Sequence, residues 1–327
     1  MEPYAAVRDQ YLRFADEAAE DSPCFLEWAS GVADDPEVLA WVDSLPGLKK
    51  QPNLVFAAAR WHGVAAPGPY DGLRAALLAD DGAIRATILE RSTQTNEVGR
   101  LATLLPAFAL AVPSGPVALI EVGASAGLNL FPDRWGYAWR TAEGVLELGR
   151  PPYLACEVTG PAPLPGALPQ VSWRGGIDLH PLDVTDADAM AWLEVLVWPE
   201  QDGRRERLAH AVSVARAEPP RIVPGDLLDE LPALVAEAEP FGTVVVFHSA
   251  VAAYLPVPDR ERMHAMLRDL VAVGACHWVS NEAPGIFPAV SAAAPAPTPR
   301  RFELAVDGRV VAHTHGHGRD LTWLTST

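Results

Sequence analysis

The chain has 327 residues, 49% of them apolar, and a formal net charge of −17. That apolar content excludes a disordered chain and is enough for a sizeable core. The acidic balance excludes the basic footprint that nucleic acid as the main partner requires, and suits a protein that takes a small molecule into a pocket.

The N-terminus, Met1-Glu2-Pro3-Tyr4, has neither the basic region nor the apolar stretch of a signal peptide. Residues 1–115 read as helical. Tyr4, Val7, Tyr11 and Phe14 form one stripe over 3–20. Ser22-Pro23 and Asp35-Pro36 each start a further helix, with proline at a permitted first-turn position. A fourth helix is expected over 52–64 and shorter ones over 71–78 and 82–89. A long one is expected over 94–112, kinked at Pro106. Trp28, Trp41 and Trp61 are expected to pack this helical half. No repeat of solenoid length occurs.

From Gly115 onward strands and helices alternate, which argues a mostly parallel sheet. Strands are expected at 117–122, 171–178, 221–223, 243–248 and 276–280, with helices over 186–197, 201–217, 226–239 and 258–273 between them. A hairpin is expected to turn at Ala142-Glu143-Gly144, and the Pro-rich stretch 151–169 reads as loop. Residues 284–299, with five prolines between Pro284 and Pro299, read as a mobile loop or lid. Asp307-Gly308 is a type I′ turn signal, so the sheet should finish antiparallel. The three cysteines, Cys24, Cys156 and Cys276, have no metal-type spacing and fit a reduced cytoplasm. No apolar run approaches the roughly 18 residues of a membrane span.

One stretch carries most of the functional question: an apolar strand ends in Glu121-Val122-Gly123-Ala124-Ser125-Ala126-Gly127, followed by what reads as the start of a helix. Gly123 and Gly127 allow positive φ or a close ligand, and a helix from Gly127 would point free N–H groups at the turn. Strand, turn and helix make the geometry of a cofactor-binding first βα unit. The same residues satisfy G-x-S-x-G, a nucleophile elbow, with Ser125 as nucleophile, Asp226 or Asp259 as orienter and His317 as base. Helices rather than strands before the turn, the absence of a His-Gly-Gly segment and the charged Glu121 weigh against the esterase.

Residues 115–327 resemble the class I S-adenosylmethionine-dependent methyltransferases, through the acid-x-G-x-G-x-G pattern at Glu121–Gly127 with Ser125 in place of the middle glycine. The resemblance implies a Rossmann-like methyltransferase sheet with an antiparallel C-terminal hairpin. It places S-adenosylmethionine across Glu121, Gly123, Ser125, Gly127 and Asn129, Asp178 on the ribose and Asp226 near the adenine. The whole chain also resembles an uncharacterised bacterial family, through Gln94-Thr95-Asn96-Glu97, residues 121–129, Phe247-His248-Ser249 and His317-Gly318. That likeness supplies no activity.

Other residues keep two readings. Gln94, Asn96, Glu97 and Arg100 either contact cofactor or substrate, or are a helix cap with Thr93 or Thr95 as the capping residue. His248 is either a general base or a core histidine, and Glu282 has the same standing at the next strand end. His313, His315 and His317 alternate as zinc ligands would, but a hairpin bend with His317 lining a pocket is preferred over a metal. The resulting expectation is an α/β fold, with a helical cap over 1–115 and a cofactor-binding domain over 116–327. The function is methyl transfer to a small molecule in the cytoplasm. His248, Glu282 and His317 are the catalytic candidates and no metal is involved. The alternatives are the Ser125 esterase and a non-catalytic nucleoside-binding protein.

Overall fold

The computed structural model describes residues 4–94, 96–292 and 294–324. Its contacts divide the chain into two units, Met1–Thr95 with Asp186–Glu206, and Asn96–Thr185 with Arg207–Thr327. Among the described residues no helix is long and apolar enough to cross a membrane.

The first unit opens with helices α1 (Ala5–Ala18), α2 (Pro23–Asp34), α3 (Pro36–Asp43), α4 (Pro52–Trp61), α5 (Tyr70–Leu78) and α6 (Ala83–Glu90). Two starts follow from sequence. The Ser22 hydroxyl accepts from Phe25 N at 3.1 Å, and Asp35 accepts from Glu37 N and Val38 N at 3.0 and 3.2 Å, each just before a proline that needs no N–H partner. The second unit then supplies α7 (Leu101–Ala111) and strands β1 (Pro116–Val122), β2 (Gly136–Thr141), β3 (Gly144–Leu148), β4 (Tyr153–Thr159) and β5 (Gln170–Asp178). The chain returns to the first unit for α8 (Ala187–Leu196) and the start of α9 (Asp202–Ala217). The second unit ends with β6 (Arg221–Pro224), α10 (Leu227–Ala238), β7 (Thr243–Ser249), α11 (Val257–Ala272), β8 (His277–Glu282), α12 (Pro288–Ser291), β9 (Phe302–Val306), β10 (Arg309–Thr314) and β11 (Asp320–Trp323).

The core of the first unit is aromatic. Phe25, Phe56 and Trp28 meet at 5.1 to 5.7 Å, with Tyr11, Phe14 and Trp198 around them. Trp61 packs edge-on against Trp192, and the Arg91 guanidinium sits over both rings at 4.6 and 5.1 Å. Trp41 is half-buried under Arg85.

The second unit is built on a mixed, mostly parallel sheet with eleven strands among the described residues, in the order β3-β2-β4-β11-β10-β9-β8-β7-β1-β5-β6. From β6 to β8 all neighbours are parallel. β8, β9, β10 and β11 are antiparallel in turn. Asp307 and Gly308 carry φ of 50° and 80°, the left-handed pair that a type I′ turn requires. Register assigns the faces. Ile120, Val122, Val246, Trp278 and Ala305 point to one side, where Leu231, Leu234 and Val235 of α10 and Met263 and Leu267 of α11 complete the core. Glu121, Phe247 and Val279 are register partners on the other side, where Phe108 of α7 meets Phe247 at 5.2 Å.

Several expectations are corrected. No α-helix follows Gly127. The chain makes two short 3-10 turns, Leu128–Leu130 and Pro132–Arg134, and enters the β2–β3 hairpin. Pro132 interrupts a helix there, and the Asn129 side chain turns back to Glu121. The Pro-rich stretch 151–169 contains β4, whose alternating buried Leu154, Cys156 and Val158 seat it between β2 and β11. Residues 91–94, 96 and 97 are not helical, Thr95 lies outside the described residues, and Glu97 is the cap, accepting from Gly99 N at 3.0 Å. Segment 284–299 is tied to the sheet. Phe287 and Val290 are buried, Ser291 Oγ donates to Glu303 at 2.5 Å, and Thr298 meets His313 at 2.8 Å.

Candidate functional site

The parallel strands run, in chain order, third-second-first-fourth-fifth across β6-β5-β1-β7-β8. The order reverses between β1 and β7, and in open α/β sheets ligands bind at the carboxyl ends of strands beside that reversal. The sequence candidates gather along this edge, in two groups on opposite faces.

The turn after β1 is laced to β5. Gly123 N and Ala124 N donate to Ile177 O at 2.8 and 3.1 Å. Asp178 accepts from Ser125 N at 2.7 Å and from His180 N at 2.8 Å, and its carbonyl takes Gly225 N at 3.0 Å. Asp178 therefore joins the turns after β1, β5 and β6. Asp226, next to Gly225 and exposed, caps α10 through Leu228 N at 2.8 Å. Gly123 has φ of 70°, and a Cβ there would meet the Val251 methyls at 2.6 Å. Ser125 also has positive φ, 50°, and its buried hydroxyl has no hydrogen-bond partner.

Glu121 lies on the α7 face and is 5% exposed. Its Oε1 accepts from Asn129 Nδ2 at 2.9 Å, while Glu121 Oε2 and Asn129 Oδ1 are buried without partners. Burial pushes the Glu121 carboxyl up to about 8, against the opposing pull of the Asn129 bond and the Arg100 charge. Arg100 donates to Ser249 O at 2.9 Å and to Gly316 O at 2.7 Å, so it joins the end of β7 to the turn after β10. That turn carries His317, whose carbonyl abuts Gly99. Gly318 packs so tightly on Gly99 that a Cβ would fall 2.0 Å from the Gly99 carbonyl. Asn96 Oδ1 accepts from Leu128 N at 3.4 Å, leaving Asn96 Nδ2 bare, and Glu97 lies 3.7 Å from Arg207. The structure thus assembles Asn96, Glu97, Arg100, Glu121 and Asn129, with the backbone of the His317 turn. Gln94 belongs to the other unit.

His248 and Glu282 lie on the α10–α11 face. His248 Nδ1 and Glu282 Oε1 are 2.7 Å apart, and Trp278 Nε1 donates to His248 Nε2 at 3.0 Å. This fixes the neutral tautomer with the proton on Nδ1. Glu282 Oε1 also accepts from Val251 N and Ala252 N at 3.0 and 3.1 Å, which pins the loop that lies on Gly123. His248 is fully buried, in contact with Trp278 and Phe287. His313 sits on β10 against Thr298, and burial lowers its tendency to protonate. His315 and His317 meet at 5.4 Å in the following turn.

Sequence reasoning missed three residues beside this group. Arg207 and His210 were read only as part of a helix, and Trp135 was not singled out. His210 stacks edge-on with the Trp135 ring at 4.8 Å, and Trp135 Nε1 and Arg207 Nε are buried without partners. The helical spacing of Arg207 and His210 was the available signal.

No curated protein matches the chain. A family model described as "Uncharacterized protein conserved in bacteria (DUF2332)" matches residues 8–323, nearly the whole length. The chain belongs to this bacterial family.

Proposed function

We propose that the sheet-bearing unit is an S-adenosylmethionine-dependent methyltransferase with a Rossmann-like cofactor site, acting on a small-molecule acceptor. The observation that carries this reading is the strand order with its reversal between β1 and β7, combined with an acid near the end of β1 and another ending β5. The residues fit such a cofactor at three points. Glu121 Oε2, Asn129 Oδ1 and Ser125 Oγ are buried polar atoms without partners. Native proteins leave few of these, because each costs about 1–3 kcal/mol. Asp178 uses each carboxylate oxygen once, toward Ser125 N and His180 N, and keeps a lone pair on each for ribose hydroxyls. Asp226 adjoins it through Gly225 and serves the adenine side.

The bound cofactor would supply an activated methyl group, and the chain's part is alignment, since in-line displacement gains mostly from positioning. His248 and Glu282 act as a positioning pair: they hold the loop carrying Val251 against Gly123. For an acceptor that must lose a proton, His317 in the turn beside Arg100 is the base.

Titration calorimetry with S-adenosylhomocysteine should give micromolar binding that Asp178→Ala weakens at least tenfold, and mass spectrometry of purified protein should detect an adenosyl compound. No heat at millimolar ligand overturns the reading. The esterase alternative draws on one observation, the positive φ of Ser125 in a tight turn after a strand. Fluorophosphonate labelling that vanishes in Ser125→Ala would establish it.

A further inference from the structure

The groups left bare around the candidate site differ in chemistry by location. Beside β1 they are acceptors or an acid, Glu121 Oε2 and Asn129 Oδ1. On α9, on Trp135 that it touches and on Asn96 next to its partner Glu97, they are donors: Arg207 Nε, Trp135 Nε1 and Asn96 Nδ2. An indole or guanidinium N–H has no acceptor function, so these three atoms have no use for a cation.

α9 ties the three together. Arg207 Nη2 reaches Glu97 Oε1 at 3.7 Å, next in sequence to Asn96, and one turn further His210 meets Trp135. Positions three apart share a helix face. Asn96 in turn holds Leu128 N, at the head of the segment that ends in Trp135. Trp135 is 2% exposed, so bulk water does not satisfy its N–H. The adjacent charges are two cations, Arg100 and Arg207, against one carboxylate, Glu97, which accepts from Gly99 N, so one positive charge is in excess. Three stranded donors, one of them on the Arg207 guanidinium, with Arg100 as a second cation, fit a planar anion with several acceptor lone pairs, and Arg is the side chain best matched to a carboxylate.

We propose that Asn96, Trp135 and Arg207 form a carboxylate-binding subsite, so that the acceptor molecule carries a carboxylate group. This rests on reading the Glu121 edge as the cofactor side; the subsite itself does not need the methyl transfer.

The test is titration calorimetry of the full chain with phenylacetate, 4-hydroxybenzoate and succinate, each against its primary amide, with and without S-adenosylhomocysteine. At least one acid should bind below millimolar, at least tenfold more tightly than its amide. Trp135→Phe keeps the ring and removes only the N–H. It should weaken that acid about tenfold, as expected for one hydrogen bond to a charged group. Asn96→Leu serves as a second variant should Trp135→Phe fail to fold. Arg207→Lys should retain more affinity than Arg207→Met. The proposal falls if no acid binds, if acid and amide bind equally, or if both donor variants leave the acid's affinity unchanged. Binding of the acids with these dependences while S-adenosylhomocysteine fails to bind would remove the methyl-transfer reading and leave the subsite standing. The opposite pattern would remove the subsite alone.

Discussion

Glu121 and Glu282 are both buried acids near the carboxyl ends of parallel strands, on opposite faces of one sheet, and their surroundings differ sharply. Each acid has one buried oxygen without a partner, Oε2. The other oxygen of Glu282 meets three donors: His248, Val251 N and Ala252 N. The corresponding oxygen of Glu121 meets a single donor, Asn129. An acid with one oxygen filled by two main-chain N–H groups and an imidazole is fixing the main chain, even though its second oxygen is bare. An acid held by one side-chain amide, among other unpartnered atoms, is set up to receive something else. The residue types are the same, and the difference lies in how many valences the fold itself closes.

The largest effect should come from breaking the closed side. Glu282→Ala strands a buried imidazole and two backbone N–H groups, and the cost should be about 3–5 kcal/mol by urea unfolding. A cost below 1 kcal/mol would mean that the pair does not hold the 251–252 loop.

The open side should show itself through pH. The Glu121 carboxyl stands at about 8 in the folded chain against an ordinary 4.5. Between those values the folded state holds a proton that the unfolded state has released. Stability therefore falls as pH rises across that window, by about 1.4 kcal/mol per unit from this group. Glu121→Gln should flatten that slope, and at pH 7 it should be more stable than the parent by about 3 kcal/mol. An unchanged slope would place the bare oxygen in contact with water.

The contrast between the two acids also explains what could be read before the structure. The mostly parallel sheet and the antiparallel finish were legible because the apolar runs at 117–122 and 243–248 and the Asp307-Gly308 turn are local signals. Strand β4 was hidden because the prolines flanking it, Pro151, Pro152 and Pro161, drew attention from its two-residue alternation. The missing helix after Gly127 had one local signal, Pro132, but the side-chain bonds of Asp178 and Asn129 that hold the end of β1 were not readable. The His248–Glu282 pair was visible as two residues at strand ends. Its bonding depends on Trp278 and on the loop after β7, which only the register of β7 against β8 brings together. Arg207 and Trp135 stayed invisible because their roles depend on contacts more than 70 residues apart in sequence, as between Trp135 and His210.

A smaller effect should follow from crowding the contact between the two sides. Gly123→Ala puts a methyl at 2.6 Å from Val251 and holds it at a φ of 70°. Overpacking and backbone strain together should cost about 2 kcal/mol. Because Val251 sits on the loop that Glu282 pins, Gly123→Ala combined with Glu282→Ala should cost less than the sum of the two. Strict additivity in a double-mutant cycle would show that the loop and the turn are independent.

The smallest effect belongs to Ser125. Its hydroxyl is buried and unpartnered, so Ser125→Ala removes a polar atom that gains nothing in the ligand-free fold and leaves the φ of 50° as it was. Stability should change by less than about 1 kcal/mol, in the favourable direction. Ser125→Gly adds relief of the left-handed backbone, offset by the greater entropy of glycine when unfolded, and should also stay within about 1 kcal/mol. The informative readout is therefore binding. If the hydroxyl is bare because a guest completes it, Ser125→Ala should weaken S-adenosylhomocysteine by about tenfold while leaving the unfolding midpoint in place. If affinity and stability are both unchanged, the hydroxyl lies outside the cofactor's reach, and the guest at this edge is held from the Glu121 and Asn129 side alone.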